Sequence, residues 1–242
     1  MRIDSHQHFT PEYSPELLRP ILKRNRFDAT VLVGSDLSPG CQGVATDYVR
    51  AVVIDADLAS RELPDLLDAW QRETKFRGVR SAFDGVPRGL AELIRHDLTL
   101  DLPPRPELVP AIAERFPSLR IALDHVGQPS LMNRPFDEWA RDLERAAQHP
   151  LLYVKISGLI TDAPTRWQAD QFRPVVRQAL RTFGPERVMY GSDWPTYLPE
   201  GTWKEALAAF TQSIGAMPTE IRELLLGANA ARFYRIDPGA AA

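Results

Sequence analysis

Eight short apolar segments recur along the chain with amphipathic segments between them, and this alternation constrains the fold more than any other feature. The apolar segments are 2–9, 29–34, 50–57, 76–83, 97–102, 119–125, 151–157 and 187–191. Near-continuous runs of Val, Ile and Leu suit strands buried on both faces. Between them, 15–26 carries Leu17, Leu18, Ile21 and Leu22 at helical spacing, and 62–74 carries Leu63, Leu66, Leu67 and Trp70. Helices are also predicted over 88–95, 106–116, 136–148, 166–183, 203–214 and 219–226, the last followed by an Ala-rich tail. Crossover helices return each strand in the same direction, so the strands pair in parallel. Eight such units match an α/β fold of the (β/α)8 TIM-barrel type, which takes about 250 residues, and 242 are present. An open doubly wound sheet is the competitor, but no Gly-rich phosphate loop follows the first strand. The expectation is one barrel domain over 1–242. Residues 36–46, with Pro39, Gly40 and Gly43, read as loop. The second helix is therefore expected to be short or missing, and the barrel locally open there.

In such a barrel the reactive groups stand at the C-terminal ends of the strands, around one mouth. The first strand ends in His6-Gln7-His8, whose imidazoles alternate onto one face and together can hold one metal ion. A hydrogen-bonded pair is the bland reading of that motif. Further along, Arg80 falls near the end of strand four, Asp101 ends strand five and Asp124-His125 ends strand six. Lys155 and Ser157 lie late in strand seven, and Asp193 follows strand eight. Polar groups in buried strands are costly unless paired or functional, and six strands ending this way favour function. His96 and His149 lie away from strand ends and read as structural or surface groups.

Charge and cysteine content narrow the partners. A net charge of -3 gives no reason to invoke nucleic acid or an acidic membrane surface. No apolar run reaches membrane-spanning length. Cys41 is the only cysteine, so no internal disulfide forms and a reducing, cytoplasmic setting is expected. A small-molecule substrate is the expected partner, and a second copy of the chain could fill the shortened region at the mouth.

The motifs Asp4-Ser5-His6-Gln7-His8-Phe9, Arg77-Gly78-Val79-Arg80, Leu123-Asp124-His125-Val126-Gly127-Gln128-Pro129, Val154-Lys155-Ile156-Ser157-Gly158-Leu159 and Gly191-Ser192-Asp193-Trp194-Pro195 resemble the amidohydrolase superfamily. The likeness runs from residue 2 to about 236 and points to its amidohydrolase-2 type lactonases, which open sugar lactones and dicarboxylate lactones. The resemblance implies that Asp193 activates water and that His125 stabilises the oxygen charge or shuttles a proton. It implies that Arg80 forks onto a substrate carboxylate or the lactone carbonyl. His6 and His8 match metal-holding positions, so that His6, His8 and Asp193 could hold a divalent ion, zinc first, that a lactone does not strictly need. Trp194 would be an apolar wall or a core aromatic, with Lys155 and Tyr197 as further substrate contacts. Strand five lacks the histidine that metal-dependent members place there. Two alternatives stay open: a metal-assisted decarboxylase, and a degenerate barrel that binds a ligand without turnover, the latter motivated by the compressed region 36–47.

Overall fold

A computed structural model describes residues 1–34, 37–127, 135–161, 163, 166–237 and 239. Its strands are β1 (Ile3–Gln7), β2 (Ala29–Gly34), β3 (Val49–Asp55), β4 (Phe76–Arg80), β5 (Thr99–Leu102), β6 (Ile121–Leu123), β7 (Leu152–Ile156) and β8 (Val188–Tyr190). They pair in sequence order, every neighbouring pair parallel. The helices are α1 (Pro15–Asn25), α2 (Gln42–Ala45), α3 (Leu63–Trp70), α4 (Leu90–Arg95), α5 (Val109–Arg115), α6 (Phe136–Ala146), α7 (Ala169–Phe183), α8 (Trp203–Ile214), α9 (Thr219–Glu223) and α10 (Asn229–Phe233). The chain is a (β/α)8 barrel, as the alternation predicts.

Local signals mark the starts of two helices. Ser14-Pro15 starts α1 with proline in its first turn. Thr202 and Glu205 cap α8 reciprocally, the Glu205 carboxylate accepting from the Thr202 amide at 2.7 Å and the Thr202 hydroxyl accepting from the Glu205 amide. The apolar faces of these helices (Leu18, Leu22, Leu67, Trp70, Trp139 and Leu143 among them) pack with outward strand residues such as Leu32, Val52 and Leu100. The second cluster is the barrel interior, where Ile3, Val31, Val33, Val53 and Met189 meet Phe233, Tyr234 and Ile236.

Two expectations change. The second helix is indeed short, only Gln42–Ala45, but the barrel is not open there. β2 and β3 pair from Thr30↔Val49 to Gly34↔Ile54, and Lys75 donates to the carbonyls of Val44 and Thr46 at 2.8 and 2.7 Å. Those bonds satisfy backbone groups that a longer helix would have paired internally. The described part of the C-terminal segment is not a tail. It runs on into α10, and its buried aromatics plug the bottom of the barrel.

The barrel closes through the chain after β8 rather than through β8 itself. The Asp193 amide donates to the His6 carbonyl (2.8 Å) and the His8 amide to the Trp194 carbonyl (2.7 Å). The Asp4 carboxylate accepts from the Ser192 amide at 2.7 Å. This seam needs Gly191, because a β-carbon there would stand 2.7 Å from the β-carbon of His6. On the other side of β1, Ile3 pairs with Ala29 and Asp4 with Thr30, but Gln7 pairs with Leu32. One extra residue is absorbed in between, a bulge of the kind that re-aims side chains beside functional sites. His6 and His8 thereby turn into the mouth.

Candidate active site

His6, His8, His125 and Asp193 converge, although they come from β1 and the residue just past it, the turn after β6 and the turn after β8. Asp193 Oδ1 lies 3.4 Å from His8 Nε2 and 3.7 Å from His6 Nε2. The rings of His6 and His125 have centroids 4.7 Å apart, and those of His6 and His8 4.9 Å. His125 and Asp193 both have left-handed backbone, φ 50° and 67°. That conformation is uncommon away from glycine and is found at functional sites whose surroundings impose it. The His125 turn is fastened from α6, where the buried Trp139 indole donates to the Val126 carbonyl at 3.0 Å. Of the motif around it, Gln128 and Pro129 lie outside the described residues. His96 and His149 stay apart: His149 contacts the Leu119 carbonyl at 2.8 Å, and His96 lies beside Glu92.

Each imidazole has a different second partner. His8 Nδ1 donates to the Val33 carbonyl at 2.6 Å, which leaves Nε2 as the lone-pair side of the neutral ring. His125 Nδ1 shares a hydrogen bond with Ser157 Oγ at 3.1 Å. His6 Nδ1 contacts the Lys155 ammonium at 3.1 Å and Asp124 Oδ1 at 3.4 Å. Burial would push the Asp193 carboxyl up, but the imidazoles ranged around it, His8 first, hold it at about 2. Its other oxygen accepts from the Thr161 hydroxyl at 2.9 Å. Burial drives His6 well below the usual imidazole range, so that ring is neutral. Beneath it, Lys155 Nζ lies 2.5 Å from Asp101 Oδ2 and 3.0 Å from Asp124 Oδ1. Burial opposes charge on Lys155, but Asp101 and Asp124 hold it as an ammonium. The same ammonium keeps Asp124 far below the usual carboxylate range against burial. Tyr234 closes this layer from below, its hydroxyl donating to Asp101 at 2.8 Å.

A cavity of about 770 Å³ opens above this group, with His8, Arg80, His125 and Asp193 in its wall. Three expected substrate contacts do not reach it. Lys155 is fully buried and committed to Asp101 and Asp124. Trp194 is buried behind the wall, edge-on to Phe9 and Tyr13, which do line the cavity. Tyr197 is buried too, while its neighbours Thr196 and Leu198 face the opening. Arg80 does line the cavity, but its fork is taken: Nε and Nη2 donate to the two oxygens of Asp55 at 2.6 and 2.8 Å. Asp124, Thr161 and Glu12 are site residues beyond the expected set. Asp124 was visible as a carboxylate at a strand end; Thr161 and Glu12 lie in loops and carry no such signal.

The donor set suits a divalent cation. His6 Nε2 is buried without a hydrogen-bond partner. One ligand atom each from His6, His125 and Asp193 fall within 4.8 Å of one another. This trio differs from the expected His6, His8 and Asp193 by one imidazole, and both sets offer the nitrogen and oxygen ligands zinc accepts. The carboxylate flanked by imidazoles stands at the barrel mouth, where enzymes of this architecture place their reacting groups. The chain belongs to the amidohydrolase family, whose model matches residues 74–236. It is 31% identical to an L-fucono-1,5-lactonase of Burkholderia ambifaria, over 98% of this chain and 96% of that protein. It is 30% identical to an L-fucono-1,5-lactonase of Burkholderia multivorans, with the same coverage. An amidohydrolase structure from Burkholderia multivorans with bound zinc superposes with a TM-score of 0.83 at 27% identity, over 98% of this chain and 100% of that one. No helix among the described residues is long and apolar enough to cross a membrane.

Proposed function

We propose that the protein opens the lactone of a sugar acid, with Asp193 as the base that activates water. The observation that carries this reading is the setting of Asp193: one oxygen faces His6 and His8 at 3.7 and 3.4 Å, and the other is held by Thr161. Such a carboxylate is oriented and ionised, and it stands in the cavity wall. Water bound there gives a proton to Asp193 as its oxygen attacks the lactone carbonyl carbon. His125, also in the wall, offers a ring N–H to the oxyanion that forms. The intermediate then collapses by breaking the bond to the ring oxygen, which leaves as a hydroxyl carrying the proton returned by Asp193. The product is the open hydroxy acid. His125 and Asp193, with His8 beside them, would hold a divalent ion, and a bound ion would polarise the carbonyl oxygen as a Lewis acid.

The lining favours an uncharged lactone over a dicarboxylate one. Arg80 is neutralised by Asp55. Glu12 and Asp193 add two more carboxylates to the wall, so the described surface holds no unpaired cation for a substrate carboxylate. The relatives' substrate, L-fucono-1,5-lactone, is of the uncharged kind. The test is a panel of sugar δ-lactones and dicarboxylate lactones, each followed by acid release. Neutral sugar lactones should be opened fastest. Preference for a dicarboxylate, or no turnover of any lactone, overturns the reading.

A further inference from the structure

Lys155 is fully buried, does not line the cavity at the mouth, and points a cation at the back of His6. An ammonium has three donors and no acceptor. Its contact with His6 Nδ1 at 3.1 Å is an aligned hydrogen bond, so Nδ1 must accept. Asp124 competes for the same nitrogen at 3.4 Å, but neither of its oxygens has an aligned hydrogen-bond partner. Neutral imidazole carries one proton, so a ring that accepts at Nδ1 presents N–H at Nε2. His8 is arranged in the opposite way. Its Nδ1 donates to the Val33 carbonyl, so its Nε2 offers a lone pair.

We propose that Lys155 is a positioning residue that fixes His6 as the Nε2–H tautomer, so that His6 turns an N–H toward Asp193 instead of offering a lone pair to a metal ion. His6 and His8 thus have different roles although one residue separates them. His6 Nε2–H faces the Asp193 carboxylate at 3.7 Å and favours its charge without a hydrogen bond, and His8 supplies the lone pair that accepts from a water or holds a cation. A histidine that ligates metal is ordinarily backed by an acceptor at its other nitrogen. Val33 backs His8 in that way, whereas the donor Lys155 backs His6. The consequence for turnover rests on Asp193 being the base; the tautomer itself does not.

The experiment is long-range nitrogen–proton NMR on protein labelled with nitrogen-15 in histidine, with zinc binding followed by calorimetry. Wild-type protein should show His6 protonated at Nε2. In Lys155→Met, Nδ1 is free to donate to Asp124; the proton should move there, and zinc should bind about 10- to 100-fold more tightly, the range over which outer partners of a ligating histidine act. Because the lone Met variant leaves two buried carboxylates unbalanced, Lys155→Met with Asp101→Asn is measured beside it. His6 protonated at Nδ1 in the wild type overturns the proposal. So does tighter zinc binding with Nε2 still protonated, which would assign the effect to charge alone. Neither readout uses a substrate, so failure on every lactone would count against the proposed activity and leave this assignment standing.

Discussion

The floor and the rim of the barrel mouth are built on opposite terms. The floor consists of Asp4, His6, Asp101, Asp124 and Lys155, each at most 1% exposed. The rim consists of Phe9, Tyr13, Arg80 and Leu198, all partly or largely open to the cavity. In the floor, charges are out of water, and each is stable only because its neighbours were placed for it. In the rim, solvent screens the charges, and a side chain can change without stranding another. Chemistry therefore depends on the floor and on the Asp193 above it, whereas selectivity depends on the rim. Substitutions near Asp193 should lower kcat, and those on the rim should move KM or the ranking of substrates.

The largest effect expected is at Asp193. Asp193→Asn keeps the shape and the bond from Thr161 but removes the basic oxygen. A positioned general base contributes about 10²–10⁴-fold, so kcat on the best lactone should fall by that factor with KM within a few-fold. A variant that keeps a tenth or more of wild-type kcat would remove Asp193 from the base role and dissolve the contrast between floor and rim.

The rim gives the next effect. Asp55→Asn removes the charge that neutralises Arg80, and a freed guanidinium can grip a carboxylate. The ratio of kcat/KM for a dicarboxylate lactone over a neutral one should rise about tenfold, equal to about 1.4 kcal/mol. Arg80→Lys is expected to raise KM a few-fold and leave kcat nearly untouched, since ammonium cannot keep the planar fork with Asp55. If Asp55→Asn cuts kcat as deeply as Asp193→Asn does, Asp55 belongs with the chemistry and the division is drawn in the wrong place.

How much of this was legible in the sequence follows the same division. Period and length gave the eight strands, and the rule that strand ends face the mouth gave His6, His8, His125 and Asp193. Both arguments need only the local chain and one property of the fold. The failures concern partners supplied from far away. Lys155 looked like a substrate contact because a lysine in a strand is costly, and nothing local shows that Asp101 and Asp124 balance it. Arg80 looked free because Asp55, its partner, is 25 residues earlier. Trp194 and Tyr197 follow Asp193 closely, but the turn aims Pro195, Thr196 and Leu198 at the cavity instead. The plug formed by α10 was unreadable for the same reason: its aromatics cover a barrel end that exists only once all eight strands have paired.

A smaller effect concerns pH. Asp193 has its folded pKa depressed to about 2, below the unfolded value of about 3.9. Its stabilisation is therefore present above that unfolded value and lost as pH falls through about 2. The base stays ionised throughout the mildly acidic range, so the pH profile of kcat/KM should show no acid limb from Asp193 between about pH 4 and 7. A limb in that range that is unmoved by substitutions of Thr161 would belong to another group. A limb that instead moves with substitutions of Thr161 would place it on Asp193 and contradict the electrostatics of the site.

The smallest effect is expected from chelation. A bound cation would share Asp193 with the water that this carboxylate must deprotonate, and a carboxylate on a cation is a weaker base. His6, held with its proton toward Asp193, adds little to such a site, and β5 contributes only Asp101, which is committed to Lys155 and Tyr234. A lactone carbonyl is electrophilic enough that base and oxyanion donor suffice. Exhaustive chelation should therefore change kcat/KM by less than about threefold, far below the loss in Asp193→Asn on the scale of general-base catalysis. The same protein, titrated with zinc, should still bind it through His8, His125 and Asp193, visible by calorimetry. If chelation instead abolishes turnover and zinc restores it, the cation is part of the chemistry. His6 would then have to offer its lone pair, and the floor would be a metal support rather than a proton-directing layer.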